Sequence, residues 1–360
     1  MTRTLAILLL LVAPAVADDH ILRNTDIFEL EVASDPQISP DSTRIVYVRR
    51  AMDIMTDSAL SSLWIIDADG KNHRPLLSGD ARYSSPRWSP DGDRLAYVTS
   101  LEDRGSQIHL RWMDTGQTAT LTNLRESQES ITWSPDGTRL AFEMFVPKKL
   151  EPLASAPAAP EGAEWADPVT VIETMPYRAD GRGYLETGYT HLFVLSADGG
   201  TPRQLTHGDY NHNGRLAWTP DGEHILFSAN RQEDWEHDPV ESEIWSVNVA
   251  SGELTQLTDR NGPDFAPTIS PDGSKIAYLG FDDRKLGYHN ADVSLMDLDG
   301  GNKRVLTADL DRSIDDVQWA GGTHRLLVQY DDHGRTHLAS LSMDGTVESI
   351  ADDIGGVSLG

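Results

Sequence analysis

The chain has 360 residues, a formal net charge of −27 and no cysteine. So acidic a chain is excluded as a partner of nucleic acid, whose phosphates need basic surface to displace their counterions, and of anionic lipid surfaces. A disulfide-dependent scaffold is excluded as well, because a chain of this length can be stabilised by its own core. The net negative charge either keeps the protein soluble or favours the binding of cationic ligands such as peptide amines.

Residues 1–17 are predicted to be a cleavable signal peptide. They contain one arginine, an apolar run at 5–12 and the small-residue sequence A-V-A at 15–17, with cleavage expected before Asp18. The apolar run is too short to span a bilayer as a helix. The mature protein is therefore predicted to be periplasmic or secreted.

A repeat organises the chain from residue 18 onward. Five copies of a short strand, an S-P-D-G-like turn and a second strand follow one another, with a sixth, degenerate copy in VQWAGGTHRLLVQ at 317–329. The turn prolines are separated by 50, 45, 85 and 51 residues. They are Pro40, Pro90, Pro135, Pro220 and Pro271.

Each repeat also contains a second half that reads as strand, Asp-Gly or Ser-Gly turn and strand, which is a hairpin signal. Four short antiparallel strands at a period of 45–50 residues are typical of a β-propeller blade. The sequence thus predicts an all-β propeller at 18–360, with six blades legible of an expected seven. Trp88, Trp133 and Trp218 precede equivalent turns and are predicted to be buried between blades.

The spacing of 85 residues between Pro135 and Pro220 is longer than the other spacings and predicts an insertion at about 146–185. Its first part is rich in proline and alanine, and its second part combines arginine, aspartate, tyrosine and glycine unlike any other blade. Such a loop on a rigid scaffold has either a binding role or a packing role between domains. The candidate contact residues are Tyr177, Arg178, Asp180, Arg182 and Tyr184.

Other motifs in the sequence have simpler explanations. The sequence 356–360, G-V-S-L-G, matches a nucleophile elbow, but that elbow joins a strand to a helix and precedes an aspartate and a histidine, none of which follows Ser358. The D-x-D-G sequences at 67–70 and 297–300 recur at hairpin positions and lack the twelfth-position glutamate of a calcium loop. No catalytic residue, metal site or cofactor is therefore predicted within these 360 residues.

Two stretches resemble the propeller of the prolyl oligopeptidase family of serine peptidases, in its acylaminoacyl-peptidase-like branch. They are FELEVASDPQISPDSTRIVYV at 28–48 and YRADGRGYLETGYTHLFVLSADGGTPRQLT at 177–206. The resemblance covers roughly residues 25 to 360. It implies a seven-bladed propeller that admits short or unfolded peptides to an α/β-hydrolase domain, where Ser, Asp and His hydrolyse them through an acyl-enzyme.

The sequence departs from that family in what it lacks. Six blades are legible rather than seven, and no hydrolase domain occurs within the 360 residues. Dipeptidyl-peptidase relatives hold the substrate amine with an adjacent Glu-Glu pair, which is absent here and disfavours that subgroup.

The favoured hypothesis is that the chain is the substrate-gating propeller of an exported serine peptidase, inactive alone, with peptide substrates and the missing hydrolase domain as its partners. By this resemblance, Arg178 or Arg182 would pair with a peptide carboxylate or with an acidic residue of the hydrolase domain. The alternative is a stand-alone, TolB-like periplasmic propeller that binds a protein partner and has no enzymatic activity.

Overall fold

A computed structural model describes most of the chain, namely residues 23–101, 105–149, 157–166, 170–321 and 324–354. The predicted signal peptide and the elbow-like sequence at 356–360 lie outside these residues. No helix in the described ranges is long and apolar enough to cross a membrane.

The described residues form one short 3₁₀ helix, Asn24–Glu29, and 26 strands. In chain order the strands are β1 (Glu31–Ile38), β2 (Arg44–Asp53), β3 (Ser58–Asp67), β4 (Arg74–Leu77), β5 (Arg82–Trp88), β6 (Arg94–Leu101), β7 (Gly105–Trp112), β8 (Thr118–Thr120), β9 (Gln128–Trp133), β10 (Arg139–Pro147), β11 (Arg178–Ala179), β12 (Gly183–Tyr184), β13 (Gly188–Ser196), β14 (Arg203–Gln204), β15 (His212–Trp218), β16 (His224–Ala229), β17 (Glu243–Asn248), β18 (Leu254–Gln256), β19 (Asp264–Ile269), β20 (Lys275–Gly280), β21 (Asp292–Asp297), β22 (Arg304–Val305), β23 (Ile314–Trp319), β24 (Arg325–Asp332), β25 (Arg335–Ser342) and β26 (Val347–Ala351).

All of these strands except β11 and β12 build six four-stranded antiparallel sheets, and the strands of each sheet neighbour one another in chain order. Strands β11 and β12 pair with each other in a separate two-stranded sheet. Blade 1 is β1–β4, blade 2 is β5–β8, blade 3 is β9, β10, β13 and β14, and blades 4, 5 and 6 follow as β15–β18, β19–β22 and β23–β26. The first strands of all six blades line a central channel of about 950 Å³. The predicted all-β propeller with six blades is confirmed, and the seventh blade stays a prediction.

The S-P-D-G turns explain why the first two strands of a blade meet in a fixed register. In blade 3, the Ser134 hydroxyl donates to the Asp136 carboxylate at 2.6 Å and accepts the backbone N–H of Arg139 at 2.9 Å. Gly137 has φ of +67°, a conformation that glycine adopts without steric penalty. The turn therefore satisfies its own polar groups before the second strand begins.

Consecutive blades are joined by a recurring tryptophan and arginine. Trp133 of blade 3 donates its indole N–H to the carbonyl of Arg87 in blade 2 at 3.0 Å. Arg94 of blade 2 lies over the Trp133 ring, 5.0 Å from its centroid, and donates to the carbonyl of Gly137 at 2.8 Å. The same stacking joins Arg44 to Trp88 and Arg139 to Trp218. The three tryptophans are 8–9% exposed, so their predicted burial is confirmed.

Between blades 6 and 1, the described residues leave an open junction. Apolar clusters fill the five junctions from blade 1 to blade 6, but none joins blade 6 to blade 1 within the described ranges. Ile38, at the junction-tryptophan position of blade 1, is 64% exposed. Arg325, the blade 6 counterpart of Arg94, pairs instead with Glu348 of its own blade at 2.5 Å.

The purified chain is expected to self-associate through this open junction, because exposed apolar blade faces and free strand edges promote association. Light scattering should report a mass above that of the monomer that rises with concentration, and Ile38→Lys should lower it. Val240→Lys changes an apolar residue that is 45% exposed on another blade and serves as the control. A monomer at all concentrations would contradict the expectation and favour the stand-alone propeller.

Candidate functional site

The candidate site lies at the strand ends opposite the S-P-D-G turns. Two long connections come together there. They are the described residues of the insertion at 148–187, between β10 and β13, and the segment 230–242, between β16 and β17. The backbone N–H of Met175 in the insertion donates to the Glu236 carboxylate of the second segment at 3.5 Å. The insertion is therefore held against blade 4.

The predicted contact residues lie on a small hairpin of the insertion. Strands β11 and β12 pair Arg178 with Tyr184, and the backbone N–H of Leu185 donates to the Tyr177 carbonyl at 2.9 Å. The two tyrosine rings lie 6.3 Å apart, and all five predicted residues are exposed. The hairpin brings them together in space, but their role in binding stays a prediction.

Below the hairpin, blades 3 and 4 and the two connections enclose a cavity of about 550 Å³, here called the acidic cavity. Of the predicted residues, Arg182 lines it, and the other four do not. Arg182 is the one cation among the described lining residues, which include four carboxylates. These are Glu126, Glu129, Glu143 and Glu186.

Glu143 is the least exposed of the four carboxylates. It lies on β10 opposite Glu129 of β9, is 3% exposed, and has an Oε1 atom without a hydrogen-bond partner. The pKa of Glu143 rises to about 8, chiefly because burial penalises its charge. A hydrogen bond with Ser130 opposes the rise, and the Glu129 charge adds to it. Glu143 is therefore mainly a neutral carboxylic acid at pH 7.

Sequence reasoning missed Glu143, although the repeat holds a signal for it. In R-L-A-Y-V of blade 2 and K-I-A-Y-L of blade 5, the fifth residue is an apolar one that faces a neighbouring blade, Val98 and Leu279. The equivalent residue is Ser228 in blade 4, Gln329 in blade 6 and Glu143 in R-L-A-F-E of blade 3. A carboxylate that is 3% exposed at this position indicates function rather than packing.

Aromatic rings form another part of the cavity wall. Tyr189 and Trp235 meet edge to face with their centroids 6.2 Å apart, and Phe145 lies in the same lining. The Lys148 ammonium lies 5.9 Å from the Tyr189 ring centroid and binds the Asp209 carboxylate at 2.5 Å. The cavity thus combines negative charge with aromatic surfaces.

Arg231 anchors the segment that carries Trp235. Its guanidinium lies over the rings of Tyr210 and Trp245, at 4.7 and 5.3 Å, and donates to Nε2 of His212. The pKa of His212 falls to about 3, first because of burial and then because of the Arg231 charge. The imidazole is therefore neutral and able to accept this hydrogen bond.

The acidic cavity adjoins the central channel. Glu129 and Asn213 line the cavity, and the residues that follow them, Ser130 and Gly214, line the channel. The channel itself carries ion pairs between Arg87 and Asp35 and between Arg215 and Asp316. A ligand in the cavity would thus lie beside the mouth of the channel.

A metal centre is not indicated at the cavity. Within the described ranges, the group whose ligand atoms lie close enough to share an ion consists of Asp221, Glu223 and His224, at the turn of blade 4. Asp221 there accepts from Thr219 at 2.5 Å, as the aspartate of each such turn does. This group belongs to the turn, and no three described carboxylates of the cavity bring their oxygens that close together.

The architecture and the repeated turns define the protein as a β-propeller, and sequence comparison supplies the family. Residues 37–149 and 183–357 match the TolB beta propeller domain family. The match covers most of the chain, which therefore belongs to this family.

Individual relatives are peptidases. The uncharacterized peptidase YuxL of Bacillus subtilis is 28% identical over 208 residues, which are 58% of this chain and 31% of YuxL. Dipeptidyl-peptidase 5 of Porphyromonas gingivalis is 22% identical over 312 residues, 81% of this chain and 43% of that protein. The resemblance to peptidase propellers is confirmed, and the chain spans less than half the length of either relative.

Among solved structures, an acylaminoacyl peptidase in complex with Z-Gly-Gly-Phe-chloromethyl ketone has a TM-score of 0.68 with this chain. The two are 19% identical, and the likeness covers 90% of this chain and 46% of the peptidase. At this identity the likeness shows a common fold.

Proposed function

We propose that this chain is the substrate-admitting propeller of an exported serine peptidase of the prolyl oligopeptidase family. In this proposal the chain selects peptides at the acidic cavity and the channel, and a hydrolase domain outside these 360 residues cleaves them. The observation that carries the proposal is the insertion, which closes a charged cavity directly beside the channel mouth.

The chemistry of the cavity suits peptides better than other ligands. Its carboxylates attract a cationic group, and the Arg182 guanidinium in the insertion can bind a carboxylate through two hydrogen bonds. A cavity of about 550 Å³ accommodates a few residues of extended chain and not a folded domain. The role of this chain is thus binding, orientation and exclusion by size.

A TolB-like protein-binding propeller is the second candidate, favoured by the family match over residues 37–149 and 183–357. It predicts that a folded protein binds the chain and that the insertion is dispensable for this. The peptide hypothesis instead gives the insertion a direct role.

Fluorescence anisotropy of a labelled, unstructured octapeptide distinguishes the two functions. We expect saturable binding that Arg182→Ala and Tyr184→Ala weaken several-fold. Arg304→Ala, which changes an exposed arginine of blade 5, should leave the affinity unchanged. Equal peptide affinities for the parent and for both hairpin variants would contradict the proposal.

The purified 360-residue chain is expected to turn over neither peptide nor activated ester substrates. A serine nucleophile needs a histidine base and an oxyanion hole, and no such set was found in the sequence. Hydrolysis that Ser358→Ala abolishes would overturn this expectation.

A further inference from the structure

We infer that Arg231 and His212 form a pH-sensitive latch, which holds the segment 230–242 against the acidic cavity while His212 is neutral and releases it when His212 takes up a proton. The latch would regulate access to the cavity, and this regulatory role rests on the proposed function. No covalent bond changes, since one proton enters from solvent and stays on the imidazole.

The hydrogen bonds of His212 fix its protonation state. A guanidinium has donors and no acceptor, so Nε2 of His212 must be unprotonated in order to accept from Arg231. The other ring nitrogen, Nδ1, carries the proton and donates to the Thr190 carbonyl at 3.2 Å. Protonation of Nε2 would remove the acceptor and place an imidazolium against a guanidinium. The contact between Arg231 and His212 therefore requires the neutral imidazole.

The latch holds the part of the segment that carries Trp235. Besides its contacts with two aromatic rings and His212, Arg231 donates to the His207 carbonyl at 3.5 Å. Asp238, further along the segment, is held separately by Lys285 of blade 5 at 3.0 Å. Loss of the latch should therefore release residues 231–237 while the rest of the segment stays attached.

The latch lies directly behind the cavity wall. Asn211 and Asn213, the neighbours of His212 in the chain, both line the cavity. Thr190, whose carbonyl accepts from His212, and Trp235 of the segment line it as well. Release of the segment would thus remove an aromatic ring from the wall and widen the cavity.

Burial keeps His212 neutral in the closed state. Its side chain is fully buried against the ring of Phe227 on β16 and that of His191 on β13, whose centroids lie 5.6 and 5.1 Å away. Burial lowers the pKa of His212 to about 3 and that of His191 to about 4, and the Arg231 charge adds to both effects. Two buried imidazoles are therefore poised to accept protons once they are exposed.

Other charged or titratable groups surround the two histidines on the neighbouring elements. They are His207, Asp209 and Tyr210 in the loop before β15, and Lys148 in the insertion. Asp209 opposes the fall in the pKa of His191, but its carboxylate is bound by the Lys148 ammonium at 2.5 Å. The balance of these groups leaves both histidines neutral.

The direction of the pH effect follows from the two states of the latch. The pKa of His212 is about 3 in the closed state, and on exposure it returns toward the ordinary value of 6.5. Because the closed-state pKa is the lower one, closure is fully favoured above pH 6.5. Below pH 6.5 its equilibrium constant falls up to tenfold for each unit of pH. Exposure of His191 in the same step would add to this loss.

Hydrogen–deuterium exchange of the full 360-residue chain at pH 7.0 and 5.0 tests the latch without any peptide. The readout is exchange at 231–237, where the backbone N–H groups of Trp235 and His237 donate to carbonyls within the segment, after correction for the intrinsic effect of pH. We expect the opening equilibrium to be at least about tenfold larger at pH 5.0. The turn 112–117 of blade 2, which contains no histidine, should be equally protected at both pH values.

Three variants identify the residues responsible. His212→Gln keeps an acceptor for Arg231 but cannot be protonated, so exchange at 231–237 should be the same at both pH values. Arg231→Met removes the donor, and its exchange at pH 7.0 should be at least as fast as that of the parent at pH 5.0. It is the deciding variant if His212→Gln does not fold. His207→Gln changes an exposed histidine of the same cluster and should match the parent.

Equal opening of 231–237 in the parent at pH 7.0 and 5.0 would overturn the inference, and so would a pH dependence that His212→Gln retains. Octapeptide anisotropy at the same two pH values tests the regulatory role. The parent should lose several-fold more affinity on acidification than His212→Gln, and equal losses would overturn that role. A chain that shows the expected exchange but binds no octapeptide at pH 7.0 would support the latch and contradict the proposed function.

Discussion

Replacing Glu143 by glutamine is expected to make the protein markedly more stable than its parent above pH 8. The pKa of Glu143 is about 8 in the folded protein, against an ordinary value of 4.5. Because the folded pKa is the higher one, this group contributes stability that is complete below pH 4.5 and is lost as the pH rises through 8. The loss is on the order of 5 kcal/mol, at about 1.4 kcal/mol for each unit of pKa difference.

Glutamine at this position has no proton to lose, so the variant should lack that part of the pH dependence. Urea unfolding of both proteins at pH 5, 7 and 9 measures the difference in the free energy of unfolding. Burial also raises the pKa of Glu243 to about 7 and lowers that of His191 to about 4, and both effects cancel in the comparison. Glu253→Gln is the control, and a parent and variant with parallel pH profiles would refute the assignment.

Trp133→Ala is expected to lower the free energy of unfolding by about 3–5 kcal/mol, as other large-to-small changes in protein cores do. The substitution removes the buried ring between blades 2 and 3, the hydrogen bond to the Arg87 carbonyl, and the surface on which Arg94 stacks. Arg94 would then border a void instead of an aromatic face.

Denaturant unfolding monitored by circular dichroism measures this loss. Trp165→Ala is the matched control, because Trp165 lies in the insertion and is 53% exposed. A loss for Trp133→Ala no larger than that for Trp165→Ala would mean that the tryptophan does not join the blades.

The propeller could be predicted because its determinants are local and repeated. A turn such as 134–137 depends on four consecutive residues whose conformational preferences are individually known. A tryptophan precedes the turn in blades 2, 3 and 4, and this equivalent placement marked it as a core residue without knowledge of its neighbours.

The acidic cavity could not be predicted in the same way, because its residues are distant in the sequence. Glu126 precedes β9, whereas Glu186 lies in the insertion, whose path depends on contacts such as that between Met175 and Glu236. Sequence composition marked the segment at about 146–185 as an insertion, but it could not show that Arg182 alone among its five candidates lines the cavity. Glu143 was detectable only as a violation of the repeat.

The stacking of an arginine of one blade on a tryptophan of the next affects how such a protein can gain or lose blades. Each link uses one arginine from a blade and one tryptophan with a turn carbonyl from the next, as Arg94, Trp133 and Gly137 illustrate. Blades 2 and 3 carry both halves of this link, with Trp88 and Arg94 in one and Trp133 and Arg139 in the other. Duplication or deletion of either blade would therefore leave compatible surfaces at its borders, so the number of blades could change by whole units in this part of the ring.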